Sequence, residues 1–244
     1  MKRILIVLVC VCFSTFVLAQ HPDQIDVSSY PDGIFTDTIN GMIVKGTVLN
    51  SKKEGTWTVS FNTEVISLLI QYVNGLKSGL VIEMDRNALM LAQSNFLNDS
   101  LNGTRLVFTG GGHPQLNEHY KHGKLDGSRQ VFYEKGKLQE QSEYVNGLKT
   151  GKSTWYDDEG KMLAEYNYLN GLFDGGQQVF YPNGNIKSEQ WYKMNVLDGK
   201  NVQFYENGKK KLEGNYLKGE KVGPWKMYDD AGKETKVLNY REVK

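Results

Sequence analysis

Cysteine is almost missing from this chain. Only Cys10 and Cys12 carry thiols, and both lie in an N-terminal stretch laid out like a secretory signal. Lys2 and Arg3 form a charged start, Ile4 to Phe16 is almost wholly apolar, and Val17-Leu18-Ala19 places small residues where a cleavage site needs them. This pattern predicts removal of residues 1–19 by cleavage after Ala19. The apolar run falls short of the roughly 20 residues that span a bilayer, and neither cysteine follows the Leu-small-small pattern of a lipoprotein signal. The processed chain would hold no cysteine, which excludes a disulfide framework and thiol chemistry.

Net charge is also missing. The chain has 29 basic and 28 acidic side chains, and losing Lys2 and Arg3 leaves 27 against 28. A nucleic-acid partner calls for a strongly basic face, so that class is excluded. After residue 19 no apolar run approaches transmembrane length. The expectation is a soluble exported protein, secreted, periplasmic or at the cell surface. Helical periodicity is absent too: glycine recurs too often, and the apolar residues hold no 3.6-residue period.

What the chain has in plenty is glycine, 26 in all, and it is ordered. One column runs Gly55, Gly79, Gly103, Gly127, Gly151, Gly175, Gly199 and Gly223 at intervals of 24 residues. A second runs Gly112, Gly136, Gly160, Gly184, Gly208 and Gly232. Aromatic columns keep the same interval, one from Tyr72 through Tyr144 to Tyr240 and another from Phe108 through Phe132 to Tyr228. Such a period marks a tandem repeat. The divisions expected are the signal at 1–19, a polar leader at 20–32, a degenerate cap repeat at 33–54, two degenerate repeats at 55–102, and six regular repeats at 103–244, the last truncated. In the degenerate pair Glu64 and Ala88 replace the second glycine. The apolar residues there suggest a thicker local core, with a docking surface as the competing reading.

Within one unit, Ser128–Tyr133 is β-prone, Glu134-Lys135-Gly136 is a turn, and Lys137–Tyr144 returns the chain. Each unit reads as a β-hairpin. Parity places Leu138 with Tyr144 on one face, and Gln139, Gln141 and Glu143 on the other. A lone hairpin is marginal in water, so the hairpins must stack edge to edge, aligning the aromatic columns as a ridge. The fold class is therefore all-β, an elongated single-layer antiparallel β-meander of tandem 24-residue hairpin repeats. Eight units would extend on the order of 75 Å. Charges crowding the last strand (Lys233, Glu234, Lys236, Arg241, Glu242, Lys244) would discourage further pairing.

Residues 133–156 (YEKGKLQEQSEYVNGLKTGKSTWY) and 205–228 (YENGKKKLEGNYLKGEKVGPWKMY) resemble the MORN repeat variant of many bacterial proteins. The resemblance covers about residues 55–240 and is strongest from 103 onward. It implies an elongated β-meander and attachment to membranes or proteins; similar bacterial chains carry an antitoxin-like label.

Candidate sites are few. His113, Glu118, His119 and His122 are the clustered metal-ligand types, and a metal-dependent enzyme built on them is the catalytic alternative. No other unit repeats the set, and a site needs three or four converging ligands, so solvated histidines are expected, with no metal, cofactor or catalytic residue. Gly110-Gly111-Gly112 lacks the strand-to-helix setting of a phosphate loop. Asp126, Asp174 and Asp198 precede first-column glycines and read as turn formers. Lys137, Lys161, Lys209 and Lys233 form a basic column at one edge, which anionic head groups or polysaccharide could meet. Tyr133, Tyr181 and Tyr205 follow an inward aromatic by one residue and are expected on the opposite face, as contacts for a partner. The function expected is a non-catalytic scaffold binding a protein, glycan or anionic envelope lipid through its sheet; an antitoxin or immunity-like inhibitor is the alternative.

Overall fold

A computed structural model describes residues 25–61 and 65–241. The signal segment with Cys10, Cys12 and Ala19, the first leader residues, Glu64, Glu242 and Lys244 lie outside the described residues.

Among the described residues every regular element is a strand. A first hairpin pairs β1 (Gly33–Ile39) with β2 (Met42–Leu49). The degenerate region supplies β3 (Lys52–Ser60), β4 (Ile66–Val73), β5 (Leu76–Met84) and β6 (Met90–Leu97). The regular units supply β7 (Ser100–Phe108), β8 (Pro114–Lys121), β9 (Lys124–Phe132), β10 (Leu138–Val145), β11 (Leu148–Tyr156) and β12 (Met162–Leu169). They continue through β13 (Leu172–Phe180), β14 (Ile186–Lys193), β15 (Val196–Phe204), β16 (Lys210–Leu217), β17 (Glu220–Tyr228) and β18 (Glu234–Tyr240). Each strand pairs antiparallel with its sequence neighbours in one 18-stranded meander, as the sequence predicts. At about 4.8 Å per strand the stacking direction covers roughly 80 Å.

Two turn types alternate along the two edges. One edge carries two-residue turns such as Asn146-Gly147, with φ of 51° and 85°. Two successive positive φ values define the turn whose twist matches paired strands, which is why Asn-Gly recurs there. The other edge carries five-residue turns. In the turn from Tyr133 to Lys137, the Tyr133 N–H donates to the Lys137 carbonyl at 2.8 Å, and the Gly136 N–H to the Tyr133 carbonyl at 2.8 Å. The degenerate β5–β6 turn keeps this geometry without glycine: Ala88 takes φ 60° and its N–H reaches the Asp85 carbonyl at 3.1 Å. The meander therefore passes through 55–102 unbroken. In the first hairpin a two-residue turn, Asn40-Gly41, stands where later units have five residues.

The register corrects two expectations. First-column glycines do not lie in turns. Gly127 sits inside β9 at φ 113° and Gly151 inside β11 at φ 62°. The register slips by two residues across Gly151, since Gln141 pairs Thr154 while Glu143 pairs Thr150. These glycines form bulges that bend and twist the sheet once per unit. A second slip lies near the five-residue turn, where Leu138 pairs Phe132 and Glu140 pairs Val131. Val131 and Phe132 are adjacent and so face opposite ways, which puts Leu138 opposite Glu140 and hence opposite Tyr144. The single ridge is therefore two: the Tyr144 column lines one face, here called inner, and the Phe132 column lines the outer one.

The inner face is the more buried. At its N-terminal end Phe35, Val44, Val48, Trp57, Val59, Ile70, Tyr72 and Val81 form the main apolar cluster. The leader joins it, with Val27 buried and Tyr30 edge-on to Phe35 at 4.8 Å. Of the apolar residues of 65–70, Ile70 is buried in this cluster and Leu68 packs against it. A smaller centre at the other end holds Trp225, 2 % exposed, between Tyr216 and Tyr240.

Candidate functional site

Between the two apolar ends the inner face turns polar. The position held by Trp57 and Trp225 is Val81 in the unit after Trp57, then Arg105, Arg129, Ser153, Gln177 and Asn201. Across β7 to β11 the two arginines join Glu118, Glu140 and Lys149 in a ladder of ion pairs. Arg105 Nη1 meets Glu118 Oε2 at 3.2 Å, and Arg129 Nε meets Glu118 Oε1 at 3.0 Å. Arg129 Nη1 reaches Glu140 Oε2 at 3.1 Å, and Lys149 Nζ reaches Glu140 Oε1 at 2.7 Å. The Lys149 ammonium also sits 4.9 Å from the Trp155 ring centroid and 5.1 Å from that of Tyr168.

Burial pushes up the pKa of the Glu140 carboxyl, but the hydrogen bonds and charges of Lys149, Ser142 and Arg129 outweigh it and hold the pKa below its ordinary value. Tyr120 is pushed up to about 12, first by burial and then by its 2.9 Å hydrogen bond to Glu118. A carboxylate held ionised by two cations is a poor general acid near neutral pH. The ladder links β7 to β11 side chain to side chain across the inner face. The polar interior extends beyond it to the fully buried Ser153 and to Asn201, 2 % exposed, whose Oγ and Oδ1 lack protein partners. Buried water commonly satisfies such atoms.

The histidines do not converge. His113 and His122 flank opposite ends of β8, roughly 30 Å apart at strand rise. His119 lies on the outer face, Nε2 3.3 Å from Thr104 Oγ1 and Nδ1 3.3 Å from the Ser128 carbonyl. Glu118, one residue away, points to the inner face and its two arginines. No group of three potential metal ligands occurs among the described residues. Gly110 to Gly112 lie within the five-residue turn from Thr109 to His113, where the Gly112 N–H donates to the Thr109 carbonyl at 2.9 Å.

The acidic column has a structural task that the sequence did not disclose. Asp126 accepts the Asn146 N–H at 3.0 Å, Asp174 the Met194 N–H at 3.2 Å, and Glu54 the Asn74 N–H at 2.8 Å. Each carboxylate caps the two-residue turn of the following unit. On the opposite edge, Lys137 donates to the Asp158 carbonyl and Lys209 to that of Ala231, both at 2.8 Å.

Tyr133, Tyr181 and Tyr205 stand at the mouths of five-residue turns, half-buried. Their hydroxyls donate to the carbonyls of Tyr156 at 2.7 Å, Phe204 at 2.8 Å and Tyr228 at 2.8 Å. Each bond reaches 23 residues along the chain, into the next unit, and so ties neighbouring hairpins together. Lys187 and Lys211 lie over the rings of Tyr181 and Tyr205 at 5.7 and 5.5 Å.

The surface feature that single residues did not reveal lies on the two-residue-turn edge. Residues flanking those turns are apolar and open: Leu49, Val73, Leu76, Leu97, Val145 (53 % exposed), Leu148 (49 %), Leu169 (52 %) and Val196, with Met194 (63 %) in a turn. By register the flanking strand residues share the outer face, about 9.6 Å apart from unit to unit. Lys121 and Lys124, paired across the His122-Gly123 turn, divide the row in two. The recurring Val-Asn-Gly-Leu of the sequence was its signal.

No curated protein matches the chain. The MORN repeat variant matches at residues 125–146, 149–170, 173–194 and 197–218. These four stretches fit β9–β10, β11–β12, β13–β14 and β15–β16, each a strand, a five-residue turn and a returning strand. The same register continues on both sides, so four consecutive hairpins of the ribbon match the MORN repeat variant and the flanking hairpins share their spacing.

Proposed function

We propose that this chain is an exported, non-catalytic scaffold whose β ribbon binds a partner protein along the two-residue-turn edge of its outer face. MORN repeats are often protein- or lipid-binding modules, which fits a ribbon of this kind. The observation that carries the reading is the row of open Leu and Val side chains from Leu49 to Val196. Exposed apolar side chains gathered in rows, here two segments either side of Lys121 and Lys124, point to an interaction surface more than singly scattered ones do. The hydroxyls of Tyr133, Tyr181 and Tyr205 are already engaged within the fold, so the proposal puts the contact on the apolar row rather than on those rings.

Lys121, Lys124 and Lys193 interrupt the row and favour a second reading, an anionic lipid surface, because cations beside inserting apolar groups strengthen such binding. Export rests on the Lys2-Arg3 start, the apolar run and the Ala19 junction. The test compares processed wild type with a Val145→Ser/Leu148→Ser/Leu169→Ser variant in quantitative cross-linking to envelope proteins and in flotation with anionic vesicles. Loss of a specific protein adduct supports the first reading, and loss of vesicle binding the second. Identical behaviour of the two proteins in both assays overturns the edge as the binding surface.

A further inference from the structure

Where the N-terminal apolar cluster gives way to the ion-pair ladder, the inner face of β5, β6 and β7 is underfilled. Positions that hold Trp57 and Ile70 in the preceding unit hold Val81 and Ser94 here, paired across β5 and β6. These smaller side chains leave a half-open cleft of about 280 Å³, close to the lower end of small-molecule pockets (about 300–1,000 Å³). Its lining has three parts. Val81, Phe96 and Leu101 are apolar, Lys77 and Arg105 are cationic, and Glu83 is anionic, with Ser94 on the floor.

The register orders these groups. Phe96 pairs Leu101, Ser94 lies between Val81 and Arg105, and Glu83 sits one further row toward the five-residue-turn edge. The Lys77 ammonium rests 4.9 Å above the Phe96 ring. Arg105 gives Nη1 to Glu118, while its planar guanidinium carries five donors in all. The cation of Arg105 thus lies one row from the carboxylate of Glu83, with the apolar Phe96 and Leu101 on the other side of Arg105.

We propose that this cleft binds a free apolar α-amino acid, the side chain over Val81, Phe96 and Leu101, the carboxylate against Arg105, and the ammonium toward Glu83. The site lies on the inner face, apart from the outer-face edge, so its fate is independent of the scaffold reading.

The repeats themselves supply variants that the fold already tolerates. The Leu101 position is Phe173 three units on, the Arg105 position is Gln177, and the Glu83 position is Gln203. Leu101→Phe fills the cleft, Arg105→Gln removes a carboxylate contact, and Glu83→Gln removes the ammonium contact. Isothermal titration of residues 20–244 with L-phenylalanine, 3-phenylpropanoate and 2-phenylethylamine separates the contributions. The expected result is saturable binding of phenylalanine only, weakened about ten- to hundredfold by each charge-removing variant, as for a lost hydrogen bond to a charged group, and abolished by Leu101→Phe. Thermal unfolding checks that each variant keeps its fold. Equal binding of 3-phenylpropanoate, no saturable binding of any of the three, or unchanged binding by Leu101→Phe would each overturn the proposal.

Discussion

Gly214→Ala should loosen the C-terminal end of the ribbon and leave the rest folded. A Cβ at Gly214 would lie 2.3, 2.4 and 2.6 Å from ring carbons of Trp225, where carbon contacts normally sit at about 3.5–4.0 Å. The offending atoms are the body of a ring that is 2 % exposed and tethered by its Nε1 to the Asn215 carbonyl at 3.2 Å, so the ring must shift by more than 1 Å. If the strands yield, overpacking of this kind costs about 1–3 kcal/mol. If the ring is expelled, the loss approaches about 4–6 kcal/mol, from 150–250 Å² of aromatic burial at about 25 cal/mol/Å², an upper bound. A local destabilisation of about 3 kcal/mol is the expectation. Each unit touches only its neighbours, so the damage should stay in β16 to β18. Hydrogen exchange read by mass spectrometry would show lost protection over residues 210–240 and none lost over 66–97. The matched variant at the other end, Gly46→Ala, has its Cβ 2.1 Å from Trp57 and strikes the main apolar cluster, so it should cost more. Unchanged protection across 210–240 in Gly214→Ala would refute the reasoning, as would uniform loss along the chain.

Ala88→Gly should stabilise the β5–β6 turn by about 1 kcal/mol, since an L-residue at φ 60° pays roughly 1–2 kcal/mol for its Cβ; chemical denaturation would detect the gain. Asp126→Ala removes the acceptor for the Asn146 N–H and should cost about 0.5–1.5 kcal/mol, seen as faster exchange at that turn. The Glu140 pKa is lower folded than unfolded, so its contribution is fully present above the ordinary glutamate value and is lost as pH falls through the folded one. Stability measured below about pH 4.5 should therefore fall less steeply in Glu140→Gln than in wild type. The raised pKa values of Tyr120 and Tyr168, each about 12, work in the opposite sense. Their contribution holds below the ordinary tyrosine value and fades as pH rises from about 10 toward 12; absorbance at alkaline pH should show these phenols ionising late.

The spacing of Gly127, Gly136, Phe132 and Tyr144 was enough to read the repeat, its hairpins and the meander, because turn chemistry and a fixed period are local properties of the chain. Asn40-Gly41 was legible for the same reason. The face assignment of Leu138 was not. Parity counts residues along one strand, and the slips beside Gln139 and Gly151 appear only when two strands are paired. Tyr133 looked free because its partner, the Tyr156 carbonyl, lies in the next unit and is a backbone atom that no residue type announces. The acidic column misled likewise: Asp126 beside Gly127 suggests a local turn, whereas the turn it caps is 20 residues on.

By itself, then, the sequence determined the unit, its length, its two turn chemistries and the all-β class, since each depends on neighbours within one hairpin. Tertiary structure alone decided which face each column occupies, which charges meet in the ladder from Arg105 to Lys149, and where Val81 and Ser94 leave room. Those outcomes depend on contacts between strands, where a one-residue slip such as that beside Gln139 moves side chains to the other face.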